Sequence, residues 1–146
     1  MYKKLILLGM FLASCGIAIA KNADFSISDF KKALNGDKNL IETRLFGADF
    51  SEKDFRNVNF TNAELEDSNF KGANLQNANF SHADLEKVDF SDANLTGANF
   101  YHADLEEANL EGAKITNASF KEAQLELTTW IDGRVCAEES VGGCWV

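Results

Sequence analysis

Residues 73–100 read ANLQN ANFSH ADLEK VDFSD ANLTG ANF, and their spacing decides the fold. A large apolar residue falls at every fifth position: Leu75, Phe80, Leu85, Phe90, Leu95 and Phe100. Working outward, the register holds from Phe50, Phe55, Phe60, Leu65 and Phe70 to Leu105, Leu110, Ile115, Phe120 and Leu125 without a slip. Two residues before these sixteen positions stands alanine at twelve, and the position between is Asn or Asp at twelve. A helix repeats every 3.6 residues and a strand every two, so neither can hold every fifth residue on one side. The chain must turn a corner once per pentapeptide and wind into a solenoid.

Intervals of twenty sort the apolar positions by size. Phe60, Phe80, Phe100 and Phe120 make one column, and Leu65, Leu85, Leu105 and Leu125 another. Phe50, Phe70 and Phe90 lead to Leu110 and Trp130, while Phe55 leads to Leu75, Leu95 and Ile115. Four pentapeptides therefore make one turn, a period typical of stacked repeat proteins. Ordering five backbone residues costs more than one buried Phe or Leu returns, so coils fold only by stacking.

The A(N/D)(L/F)xx unit, as in Ala73-Asn74-Leu75, Ala78-Asn79-Phe80 and Ala93-Asn94-Leu95, resembles that of the pentapeptide-repeat family. The resemblance implies an all-β fold, a right-handed quadrilateral parallel β-helix of about four coils. In that fold the central Leu or Phe and the small residue two before it point inward. Some members of the family resemble duplex DNA in shape and charge and act on DNA gyrase, which supplies an alternative function for this chain.

Residues 1–20 have the layout of a signal peptide: Lys3 and Lys4, an apolar run from Leu5 to Ala13, then small residues to Ala20. The run is short for a membrane span. Ala18-Ile19-Ala20 offers an A-x-A cleavage site, while Leu12-Ala13-Ser14-Cys15 resembles a lipobox that would lipidate Cys15 and anchor the chain to a membrane. Either route exports the protein, to the periplasm or beyond. Cleavage at Ala20 removes two of the 14 basic residues and none of the 23 acidic ones, taking the net charge from −9 to −11.

Residues 21–45 read as a polar lead, a short capping helix over 29–35 and an irregular first coil. Ser28 is the expected N-cap, Phe30, Ala33 and Leu34 share a face, and Gly36 stops the helix. Leu40 and Leu45 keep the register without a preceding alanine. The regular solenoid spans 46–130, with a distortion expected where Lys53 replaces the inward Ala. Residues 131–146 form a cap closed by a disulfide between Cys136 and Cys144, since paired cysteines persist in exported proteins.

The outward positions carry an asymmetric charge. One face holds Glu64, Glu66, Asp67, Asp84, Glu86, Asp104, Glu106, Glu107 and Glu126 against a single cation, Lys87; the other three faces of 48–127 share seven acids. Like charges stacked in register destabilise a sheet, so the face is either tolerated by solvation or used by a basic protein partner. Divalent cations suit carboxylates, but a flat column lacks an enclosing loop. His82 and His102, twenty apart beside Asp84 and Asp104, have the composition of a metal or pH-sensing pair, yet the repeated motif at 81–86 and 101–106 explains them without one. No metal site is expected.

No G-x-S-x-G, H-E-x-x-H or phosphate loop is present, and a rod filled by Phe and Leu leaves no pocket. An enzyme is not expected, and neither is a cofactor or direct nucleic-acid contact. The sequence points to an exported, non-catalytic scaffold or protein-interaction module. A DNA-mimicking protein or a secreted effector is the alternative.

Overall fold

A computed structural model describes residues 26–145; residues 1–20, expected as a signal peptide, and Cys15 within them lie outside the described residues. The chain is a right-handed four-sided β-helix preceded by one helix, α1 (Ile27–Leu34). Among the described residues, every one of the fifteen parallel bridges joins residues twenty apart, from Asn39 with Asn59 to Asn109 with Thr129. The four sides are named here by the apolar residues they bury: the Phe60, Leu65, Phe70 and Leu75 faces.

An interior pentapeptide with Asn or Asp before its apolar residue settles all five of its backbone donors, and the repeat chemistry follows from how it does so. In the unit centred on Phe80, the Phe80 N–H donates to the Asn99 carbonyl at 2.7 Å and the His82 N–H to Tyr101 at 2.9 Å, both on the next coil. Asp84 N–H donates back to Ala63 at 3.0 Å, and Ala83 N–H closes the turn on the Phe80 carbonyl at 3.0 Å. The remaining donor, Ser81 N–H, goes to the Asn79 side chain at 3.1 Å. That last bond explains Asn or Asp before the apolar residue: a short side-chain acceptor reaches the N–H two residues on. It recurs at the Asn and Asp positions from Asp49 through Asn109.

The second residue after each central Leu or Phe has a positive φ, from Glu42 (54°) through His82 (59°) to Leu127 (53°). This is the left-handed position of a type II turn. Asn, Asp and Gly fill ten of its eighteen places between 42 and 127, a signal the apolar spacing alone does not show.

Inside, the columns stack as expected. Phe60, Phe80, Phe100 and Phe120 lie parallel at 4.8–5.1 Å, and Phe80 meets Phe90 of the opposite column edge-on at 5.6 Å. Both geometries suit aromatic quadrupoles. The Leu65, Leu85, Leu105 and Leu125 column is fully buried.

Three expectations need correction. The first coil is regular: Leu40 and Leu45 are buried, and Asn39 and Arg44 already bridge to Asn59 and Glu64. Thr43 serves as the small inward residue because its hydroxyl donates to the Leu40 carbonyl at 2.7 Å. Lys53 causes no distortion. Its N–H closes the turn on Phe50 and its carbonyl accepts from Asn74, while its side chain stays exposed at the N-terminal end of the Leu75 face, where no coil lies beneath. The helix starts two residues early, with Ser26 as N-cap and Ser28 inside the first turn, and Leu34 is exposed.

The helix does cap the rod. Phe30 and Ala33 are buried, and the Phe30 ring lies 6.1 Å from Phe50. Gly36, at φ 74°, follows the last turn.

At the other end the chain folds back. Val135 pairs antiparallel with Thr129 and Val141 with Gln124. Cys136 and Cys144 lie at disulfide distance, their Cα atoms 4.9 Å apart, with Cys136 in the core.

Candidate interaction face

The acidic positions stand where the twenty-residue offset puts them. Glu64, Asp84 and Asp104 bridge in series along the Leu65 face. The carbonyls of Glu86, Glu106 and Glu126 accept from Asp67, Lys87 and Glu107 of the preceding coil, which fixes Glu66, Glu86, Glu106 and Glu126 as one vertical column. Adjacent strands lie ~4.8 Å apart, so each carboxylate is held beside the next. All four are partly buried, and Glu64, Asp67 and Glu107 are exposed.

The electrostatics follow from that crowding. Burial pushes the Glu66 carboxyl above its ordinary range, and the charges of Glu86, Asp84 and Asp67 push the same way. Glu106 is raised by burial and then by Glu126, Asp104, Glu86 and Glu107. Lys87 pairs with Glu86 and lowers the burden on Glu66.

The nine acids are not equivalent. Asp84 and Asp104 are half-buried and spend Oδ1 on the Glu86 and Glu106 N–H groups at 3.3 and 3.1 Å, so they serve the turn as well as the charge. The glutamates of the column are free of that duty. Arg44, set aside in the sequence reading with an irregular coil, extends the face: its Nε lies 3.7 Å from Glu64 Oε2. The face thus begins on a cation and becomes wholly acidic beyond Lys87.

The family model for pentapeptide repeats matches in eight copies, over residues 39–77, 54–92, 73–112 and 93–129. The chain belongs to the pentapeptide-repeat family. Among solved pentapeptide-repeat structures it is similar to HetL, involved in heterocyst differentiation regulation in the cyanobacterium Nostoc sp. strain PCC 7120 (30% identity over 66% of this chain and 51% of that one, TM-score 0.34). It therefore spans about half the length of HetL. A second protein of the same Nostoc strain is 27% identical over 68% of this chain and 78% of its own (TM-score 0.44). One from the Arabidopsis thaliana thylakoid lumen is 25% identical over 66% and 79% (TM-score 0.40). No curated protein matches.

On the corner beside the acidic face of this pentapeptide-repeat solenoid, His82 and His102 stack with ring centroids 5.2 Å apart and planes 19° from parallel. His102 Nε2 lies 2.8 Å from Glu122 Oε2, the residue one coil further on. Among the described residues no group of three or more His, Cys, Asp or Glu is arranged to hold a metal ion. No helix among them is long and apolar enough to cross a membrane.

Proposed function

We propose that this protein is an exported, non-catalytic interaction module whose Leu65 face binds a basic protein partner. The observation that carries the reading is the single-file column Glu66, Glu86, Glu106 and Glu126, partly buried in the absence of any partner and opposed beyond Arg44 by Lys87 alone. A surface that only had to be soluble would spread its charge. Here like charges are stacked at a cost that a cationic partner relieves. The leader and the Cys136–Cys144 pair support export. A DNA mimic acting on a protein such as gyrase, or a secreted effector, would use the same face, and the identity of the partner separates them.

The test is crosslinking in the native envelope with Glu66, Glu86 and Glu106 changed together to Lys. Loss of the captured partner with an unchanged circular dichroism spectrum is expected. Capture that persists reduces the face to solvation. Thiol titration of the exported protein checks the compartment: Cys136 and Cys144 should be blocked, and two reactive thiols would argue against it.

A further inference from the structure

The C-terminal cap consists of two pieces of unequal strength. Residues 130–136 hold themselves in place. Trp130 N–H donates to the Arg134 carbonyl at 2.7 Å and Gly133 N–H to Trp130 at 2.9 Å, a tight turn that pairs Val135 with Thr129. Ile131 packs on the core, and Cys136 is buried in it with its N–H donating to Thr128 at 2.9 Å.

Residues 137–145 take the place of a further coil. Leu125 N–H donates to Ser140 at 2.8 Å as Leu105 does to Gln124, and Gly142 N–H donates to Ala123 at 2.9 Å as Gln124 does to Ala103. Side-chain packing does not match these bonds. Within 137–145 only Ser140 is buried; Cys144 touches the core, while Val141 and Trp145 are 51% and 64% exposed. Burial of apolar surface, which stabilises every coil of the rod, therefore contributes little here.

Two features oppose closure of this loop. Glu139 lies in the left-handed region at φ 65°, a costly conformation for a side chain of its size. It also lines a cleft with Glu122 and Glu126, so laying the loop down brings a third carboxylate toward two on the rod. Ordering the loop costs more backbone entropy than its few hydrogen bonds return.

We propose that the Cys136–Cys144 bond is a redox latch that keeps residues 137–145 on the rod. It ties the far end of the loop to a residue already anchored, and so removes the freedom that release would restore. Cys144 is the partly exposed partner. A thiolate of a dithiol reductant forms a mixed disulfide with Cys144 as Cys136 leaves and takes a proton. The second sulfur of the reductant then displaces Cys144, so two electrons and two protons pass to the pair and the dithiol becomes a disulfide.

Reduction lifts the loop while the turn at 130–134 and the coils stay folded. It uncovers the Leu125 N–H and the Ala123 carbonyl, a strand edge on the Leu65 face beside Glu126. Such an edge accepts a further strand, so the face is closed at this end only where the pair is oxidised.

Residue-resolved hydrogen exchange on the full chain tests this. Leu125 and Gly142 should be protected while the pair is oxidised. Added dithiothreitol should speed exchange at both at least ~10-fold with Trp130 and Leu105 unchanged, and reoxidation should restore the original rates. Cys144→Ser should show the open pattern without reductant, with unchanged exchange at Leu105 proving the rod folded. Leu125 equally protected in oxidised and reduced protein overturns the proposal. So does loss of protection at Trp130 and Leu105 together with Leu125, which would make the bond a prop of the whole rod.

Discussion

Asp29 Oδ2 accepts a hydrogen bond from the backbone N–H of Arg44 at 3.4 Å. In every later coil the N–H at this position donates to a carbonyl of the coil below, as Glu64 does to Thr43 at 2.8 Å. For Arg44 no carbonyl among the described residues takes this bond, and a helix carboxylate accepts it instead. Ser26 N–H completes the substitution by donating to the Arg44 carbonyl at 3.2 Å. The helix is thus joined to the rod by hydrogen bonds as well as by Phe30.

Removing that acceptor strands the Arg44 donor. Asp29→Ala should lower stability by about 1 kcal/mol and speed hydrogen exchange at Arg44 beyond the change at Phe80, whose exchange follows global opening. Equal protection of Arg44 in both proteins would show that water serves as well.

Phe80 is fully buried, parallel to Phe60 at 4.9 Å and to Phe100 at 5.1 Å. Phe80→Ala should cost roughly 3–5 kcal/mol, since coils above and below hold the cavity open. An unchanged melting temperature would mean that the columns are not what holds the rod together.

Gly97 sits at the left-handed turn position with φ 70°, and a Cβ there would come 2.4 Å from Asn77 Oδ1 on the preceding coil. Gly97→Ala should destabilise by about 1–2 kcal/mol. Gly36→Ala is the control: φ is 74° but nothing lies within 4 Å, so it should cost less in the same thermal melt.

Acidification should act in two opposing stages. The Glu66 and Glu106 carboxyls are raised in the folded state, so their strain is fully present above the raised values and disappears as pH falls to 4.5, the ordinary value. Melting temperature should therefore rise slightly on approaching that pH from neutrality. Asp54 is held down to about 2 by its hydrogen bond to Arg56, and Asp132 is lowered by Arg134. Their contribution is present above 3.8 and drains away as pH falls below it, for Asp54 down to about 2, so the melting temperature should then drop. Glu106→Gln should flatten the rise and leave the drop intact.

Much of this molecule is legible without coordinates because its period is unambiguous. Five-residue spacing places Phe80 inside and Glu86 outside, and the twenty-residue offset stacks Glu66 on Glu86 before any side chain is positioned. Where the reading went astray, a residue with the wrong name did the right job. Thr43 filled an inward alanine site by bonding its own hydroxyl to Leu40, which hid the first coil, and Arg44 with it.

The sequence alone therefore determined the winding, the buried columns and the side on which the acids gather, because a strict repeat turns linear spacing directly into geometry. Only the tertiary structure decided how the ends are finished. Caps answer to whichever backbone groups the last coil leaves open, and no period announces that Asp29 will serve one end, or that the returning chain will pair with Leu125 and Trp130 at the other.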